Sequence, residues 1–323
     1  MTRLALAALL ILLAPALSSL AKVSVDDAPK SNLIDSGSEP HMDLRYSVNS
    51  GDKWLLFLDR ALDLQLYWGG KPMNVGRVPG VRFRIPVQAL SADDNTIKLR
   101  LSKLSIELIP SKETSAAKIN ALTSSWEPLQ RITVDITIDS RGGLISSKVE
   151  TPDHLTPYLE GELEDLVQTI ENLIVQLPTE LVGAKGVWTT DSPSKHLQFT
   201  GTQSRRITLA SVVDGILALK VHSKRDFPRQ SKKPFHNPDL ETLHYFRGSE
   251  EKTTRVDTHC PFPIFTATEG SSEKEVDNLL GMLAKSERGW KIEAGIVSAE
   301  DDDKAWAKIS SLFPTSEPSP KKD

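Results

Sequence analysis

From Met42 onward the chain alternates. Met42, Leu44, Tyr46 and Val48 are apolar and their neighbours polar, the period of a half-buried strand. After the turn Asn49-Ser50-Gly51-Asp52, Trp54, Leu56, Leu58, Leu62, Leu64, Leu66 and Trp68 share one parity, interrupted by Arg60. Leu55, Leu58, Leu62 and Leu66 would also fit a helix, but the aromatic ends and Gly69-Gly70 favour a strand. Val81, Phe83, Ile85, Val87 and Ala89 alternate again, turn at residues 91–95, and return through Ile97, Leu99 and Leu101. The parity then flips to Leu104, Ile106 and Leu108. One extra residue near Ser102-Lys103 would do this as a β-bulge, which predicts a curved sheet. A connector over residues 110–128, with a short helix about residues 116–122, leads to a third hairpin. Its arms are Ile132, Val134, Ile136, Ile138 and residues 144–149, joined through Asp139 to Gly143.

The period then changes to that of a helix over residues 157–177. Thr156 is a capping residue and Pro157 suits the first turn. Leu159, Leu163, Leu166, Val167, Ile170, Leu173, Ile174 and Leu177 fall on one face. Glu160, Glu162, Glu164, Asp165, Gln168 and Glu171 fall mostly on the other, and Pro178 ends the run. Each of the eight apolar side chains is worth ~1.5–3 kcal/mol when buried, so the stripe must be covered. The flanking hairpins are the available cover. Strands resume at Gly186-Val187-Trp188, at Leu197 and Phe199, and at Ile207 to Val221 around the turn Asp214-Gly215.

Residues 224–258 are basic and poor in apolar groups, and read as a polar connector. Beyond it, a strand at 263–268, a helical stripe of Val276, Leu279, Leu280 and Leu283 behind a Ser272/Glu275 capping box, an alternating Trp290, Ile292, Ala294 and Ile296, and a second helix with Ala305, Trp306, Ile309 and Leu312 spell a small βαβα unit. The expected fold class is therefore α+β: a curved antiparallel sheet packed on one long amphipathic helix, with the βαβα unit at the C-terminus. The expected organisation is a flexible leader at 22–40, a β-rich domain at 41–223, the connector at 224–258, the α/β unit at 259–314 and a disordered tail at 315–323.

The N-terminus reads as an address. Arg3, the unbroken apolar run from Leu4 to Leu13, Pro15 and the small residues Ser19 and Ala21 match a secretory signal peptide over residues 1–21. The run is too short for a transmembrane helix, and no later stretch is long enough, so the mature chain has no expected transmembrane span. The 323 residues carry 39 Lys and Arg against 43 Asp and Glu, a net charge of -4 that argues against a nucleic-acid partner. The single cysteine, Cys260, forbids an internal disulfide, and there is no Asn-x-Ser/Thr acceptor. Together these favour a bacterial periplasm or secreted location.

No nucleophile elbow, zinc helix, Walker loop or dinucleotide fingerprint is present, so no catalytic residue, metal ligand or cofactor is assigned. Gly183-Ala184-Lys185-Gly186 resembles a phosphate loop but precedes a strand rather than a helix N-terminus. His259 and Cys260 are adjacent, which in an extended chain points them to opposite faces. Asp301-Asp302-Asp303 is read as the acidic start of a helix rather than a cation site. The basic run from Lys224 to Lys233 is read as a solvated loop rather than an anion-binding surface.

The stretch Ile138-Asp139, Gly142-Gly143, the helix from Leu159 to Leu177, Pro178 and Gly186-Val187-Trp188 resembles an uncharacterised family of exported bacterial proteins. With the earlier hairpins the likeness covers residues 46–221. That family has no assigned activity, so the resemblance implies export and no catalytic residue. The expected function is a non-enzymatic binding or scaffolding role in the cell envelope. The first alternative is a periplasmic carrier of a lipid or other apolar ligand, held against Leu163, Leu166, Ile170 and Leu173 on the apolar helix face. The second is a hydrolase without a recognisable motif. The expected partner is an apolar ligand or an envelope protein.

Overall fold

A computed structural model describes residues 30–73, 79–110, 116–151, 155–196, 199–232, 241–277 and 283–298. The signal peptide, the first part of the leader, the helix expected around Trp306 and the tail lie outside the described residues. The strands are β1 (Lys30–Asp35), β2 (Ser38–Met42), β3 (Lys53–Trp68), β4 (Lys71–Met73), β5 (Gly80–Ala92), β6 (Thr96–Ser102), β7 (Ser105–Ile109), β8 (Thr133–Asp139) and β9 (Leu144–Glu150). After the helix come β10 (Val182–Ala184), β11 (Val187–His196), β12 (Phe199–Val213), β13 (Ile216–Phe227), β14 (Gln230–Lys232), β15 (Glu241–Asp257), β16 (Phe265–Asp277) and β17 (Leu283–Ser298). The helices are α1 (Ala116–Trp126) and α2 (Pro157–Leu173).

Fifteen strands form one antiparallel sheet in the order β1-β11-β12-β13-β15-β16-β17-β3-β5-β6-β8-β9, with β4, β7 and β14 on side branches; β2 and β10 make a separate ribbon. Of the described residues, 66% are strand and 12% helix. The fold is mostly β, and the α+β expectation is overturned. The error sits at the C-terminus. In place of a βαβα unit the chain runs three long strands, β15, β16 and β17, into the middle of the sheet, where β17 pairs with β3 from Ala284↔Trp68 to Ser298↔Trp54. The capping-box residues Ser272 and Glu275 lie on opposite faces of β16, and Val276 is buried there as a strand residue. The described parts of the expected connector are likewise β13, β14 and β15, and residues 30–40 of the leader are held in β1 and β2. Nor is there a bulge at Ser102-Lys103. Lys103 takes a left-handed conformation (φ 55°) and breaks the strand, so that β6 and β7 pair with different halves of β5.

The helix expected over 157–177 is present over Pro157–Leu173, with Thr156 Oγ1 accepting from the Leu159 amide. It stops short of Pro178 because tertiary partners take the backbone of its next turn. Tyr46 Oη donates to Val175 O (2.8 Å), Trp188 Nε1 donates to Gln176 O (2.9 Å) and the Leu177 amide donates to Arg141 O (2.8 Å). Arg141 lies in the β8–β9 turn and Trp188 on β11, next to the opposite edge of the sheet. The segment after α2 therefore ties both ends of the sheet together, and the sheet must curl around the helix. The helix makes polar contacts with β3, β12, β13 and β15, which requires the same curvature.

The apolar face of α2 packs into one large cluster with Leu56, Leu58, Phe83, Ile85, Leu99, Leu101, Ile136 and Ile138 of the facing strands. The opposite, convex face is ruled by cross-strand ion pairs, such as Arg82–Asp59 and Arg100–Asp135, each bidentate at 2.7–2.8 Å. That is the chemistry of a surface in water. Among the described residues no helix is long and apolar enough to cross a membrane.

Candidate binding recess on the polar side of the helix

None of the described side chains of α2 is exposed. An amphipathic helix ordinarily turns its polar side to water. Here that side faces the concave surface of β12, β13, β15, β16, β17 and β3.

Strand register lays the concave surface out in rows. One row runs Leu209, Leu219, Thr254, Thr266, Ala294 and Leu58 across β12, β13, β15, β16, β17 and β3, and belongs to the main core. The next runs Ile207, Val221, Lys252, Thr268, Ile292 and Arg60. Then come Arg205, Ser223, Glu250, Gly270, Trp290 and Leu62, followed by Gln203, Arg225, Gly248, Ser272, Arg288 and Leu64. A row beyond these is apolar again in part, with Phe227 edge-on to Phe246 at 5.0 Å in a second small cluster with Phe199 and Leu243. A charged belt thus lies between two apolar clusters inside the curl of the sheet.

The helix answers this belt residue by residue. Arg60 Nη2 meets Glu162 Oε2 at 2.5 Å, with both side chains about one-sixth exposed. Arg225 donates to Gln168 Oε1 (3.4 Å) and lies 3.8 Å from Glu250. Arg205 donates to the Asn172 side chain, and Lys252 Nζ donates to the Asn172 carbonyl at 2.8 Å. Lys252 is 6% exposed, and burial, with Arg205 nearby, lowers its pKa to about 7. Burial also raises Glu171 above the usual carboxylate range, against the charge of Arg205. Arg205 itself is held below its ordinary value by the same desolvation.

Between the helix and the belt lies a cavity of about 130 Å³. Its lining includes Arg60, Glu162, Asp165, Arg225, Glu250, Lys252 and Arg288 as charges, and Leu62, Phe246, Trp290 and Ile292 as apolar wall. Arg225, Ser272 and Arg288 also line a broader, more open hollow of about 750 Å³. Two glycines lie in these rows, Gly248 between Arg225 and Ser272 and Gly270 between Glu250 and Trp290. A Cβ on Gly270 would stand 2.5 Å from Cε2 and Cζ2 and 2.7 Å from Nε1 of Trp290, so the indole lies flat across that glycine. A Cβ on Gly248 would meet only Ser272 Cβ at 3.4 Å, a backbone oxygen at 3.5 Å and the far edge of Trp290 at 3.8 Å.

Of the residues assigned to a ligand from sequence, Leu163, Leu166 and Ile170 are 5%, 1% and 1% exposed within the filled core, away from this cavity. Leu173 is equally buried but also borders it. The recess therefore sits on the helix face that sequence reasoning passed over. Glu250, Lys252 and Arg288 went unnoticed because they fall in the stretches read as a connector and a βαβα unit, and Arg225, expected in a solvated basic loop, is instead an inward residue of β13. A signal was present in β13, where Leu217, Leu219, Val221, Ser223, Arg225 and Phe227 share one parity, with two polar residues set inside an apolar series.

The remaining candidates have structural explanations. Cys260 is 5% exposed, and burial raises its thiol to about 12, so it is no thiolate at neutral pH. His259 points into solvent and pairs with Asp257 at 2.8 Å. The Gly183–Gly186 loop is a close crossing of backbones, with the Gly183 amide donating to Ser36 O at 2.8 Å. Among the described residues no three His, Cys, Asp or Glu side chains group around a metal-sized point. The chain matches no protein-family model and no curated protein.

Proposed function

We propose that this is an exported binding protein that acts without catalysis, and that its ligand sits between the polar face of α2 and the charged belt of the sheet. The observation that carries this reading is the enclosed polar face. Arg60, Arg225, Glu250, Lys252 and Glu162 are withdrawn from water at a desolvation penalty of several kcal/mol per ion, only partly offset by pairing. Apolar side chains of similar volume would fill the same seam more stably. Retaining charge there, next to a cavity, fits a binding role better than a scaffolding one. The apolar face of α2 supports no lipid-carrier role, because it is filled by the core. The signal-like residues 1–21 support export.

The test uses the full chain isolated under native conditions, followed by denaturation, solvent extraction and mass spectrometry. Gly248→Leu is the matched control, since its new side chain has room at Cβ and enters the broader hollow that shares Arg225, Ser272 and Arg288 with the recess. The expected result is a small molecule that co-purifies with the wild type and is missing from a folded Gly248→Leu protein. Identical extracts from the two proteins would defeat the assignment. Intact mass of the same preparation tests export: a mature chain that retains residues 1–21 would contradict it.

A further inference from the structure

The geometry points to a small organic anion with a flat ring, a carboxylate or phosphomonoester, whose ring lies on Trp290 and whose charge lies between Arg225 and Arg288. This rests on reading the recess as a ligand site, and three features narrow the ligand further.

Arg225 and Arg288 occupy one row of the sheet with only Gly248 and Ser272 between them. Three strand spacings separate them, about 14 Å between Cα atoms. The intervening floor carries no bulky side chain, so two long side chains can close over it from opposite sides. Arg288 forms no ion pair among the described residues, and Arg225 is held only by contacts of 3.4 and 3.8 Å. Guanidinium forks that are loosely held match the two oxygens of a carboxylate or the three of a phosphate.

The indole of Trp290 sits one row away and flat on Gly270, so one ring face is covered by the sheet and the other faces the space that it lines. A flat ring stacked there gains contact area and ring–ring attraction. The volume, about 130 Å³, holds one substituted ring and no long acyl chain.

Calorimetric titration of the full chain with benzoate and phenyl phosphate tests this, with acetate, inorganic phosphate and benzylamine as comparison arms. Benzoate or phenyl phosphate is expected to bind at least tenfold more tightly than acetate or inorganic phosphate, and benzylamine not to bind. Arg288→Ala, checked for unchanged melting, is expected to weaken the aromatic anion at least tenfold, and Arg288→Lys to restore part of that loss. Ligand-induced quenching of tryptophan emission is expected to disappear in Trp290→Phe while calorimetric binding persists. Equal binding of benzoate and acetate, or unchanged affinity in Arg288→Ala, overturns the ligand class. If benzylamine binds and Gly248→Leu abolishes that binding, the anion is wrong but the binding role stands. If no arm binds and no small molecule co-purifies, both fall.

Discussion

Gly270→Ala isolates one contact on which the recess depends. The added methyl group would lie 2.5 Å from two atoms of the Trp290 ring, and the indole must lift or slide to admit it. Overpacking of this kind costs ~1–3 kcal/mol. Gly270 has no left-handed backbone to protect, so alanine also restricts the unfolded chain and returns ~0.4–1 kcal/mol. The net expectation is a loss of about 0.5–2 kcal/mol. With a urea dependence near ~3 kcal/mol/M for a chain of this size, the midpoint falls by about 0.2–0.7 M. Far-UV circular dichroism is the right probe, because it does not depend on the tryptophan being perturbed. The decisive comparison is a double-mutant cycle. In a Trp290→Ala background the clash is gone, and Gly270→Ala should be neutral or slightly stabilising, which gives a coupling of about 1–3 kcal/mol. Gly248→Ala, whose Cβ has ordinary contacts, serves as the internal control and should not destabilise. An equal loss from Gly270→Ala with and without the indole would refute the flat placement of Trp290, and with it the floor of the proposed site.

Three further outcomes follow from the same geometry. Lys252 has a folded pKa of about 7 against its ordinary 10.5, so between those values the unfolded chain binds more protons and stability rises with pH by up to about 1.4 kcal/mol per unit; Lys252→Met should stabilise the protein more at pH 6 than at pH 10, and parallel pH–stability curves for the two proteins would contradict this. Tyr46→Phe removes the buried bond to Val175 O and should lower stability by about 1–2 kcal/mol in urea titration, whereas no loss would mean that the hydroxyl does not anchor the chain after α2. Cys260 should resist a thiol reagent such as dithiobis-nitrobenzoate in the native state at pH 8 and react stoichiometrically in urea, and fast native labelling would show that the thiol is not buried as described.

How much of this was legible in the sequence depends on what each strand faces. The alternation in β5, β6 and β8 could be read directly, because Val81 to Ala89, Ile97 to Leu101 and Val134 to Ile138 all point at the apolar side of α2. In β15 and β16 the inward positions are Gly248, Glu250, Lys252 and Thr254, then Thr266, Thr268, Gly270, Ser272 and Lys274. The period of two is still there, but it is written in glycine, hydroxyls and charge. A search for apolar alternation therefore finds nothing and reports a connector. It then picks up Val276 and Leu283, which lie on two different strands, as parts of one helical stripe.

The composition of the helix held a clue to what had to surround it. Residues 157–177 contain five carboxylates and no Lys or Arg. A helix in that state can remain in water, where its charges are solvated, or be enclosed only if neighbouring elements supply cations. The tertiary bonds that draw Val175, Gln176 and Leu177 to Tyr46, Trp188 and Arg141 hold its end inside the sheet, so enclosure is forced. The cations then arrive from four strands: Arg60 on β3, Arg205 on β12, Arg225 on β13 and Lys252 on β15. Two of them converge on Asn172 in the last turn, where the helix has no basic residue of its own and its carbonyls carry the negative end of the dipole. Those four answer the helix. Arg288 on β17 does not, since it has no ion pair among the described residues and faces the cavity. A cation that neither the helix nor the sheet engages is the one left for something else to bind.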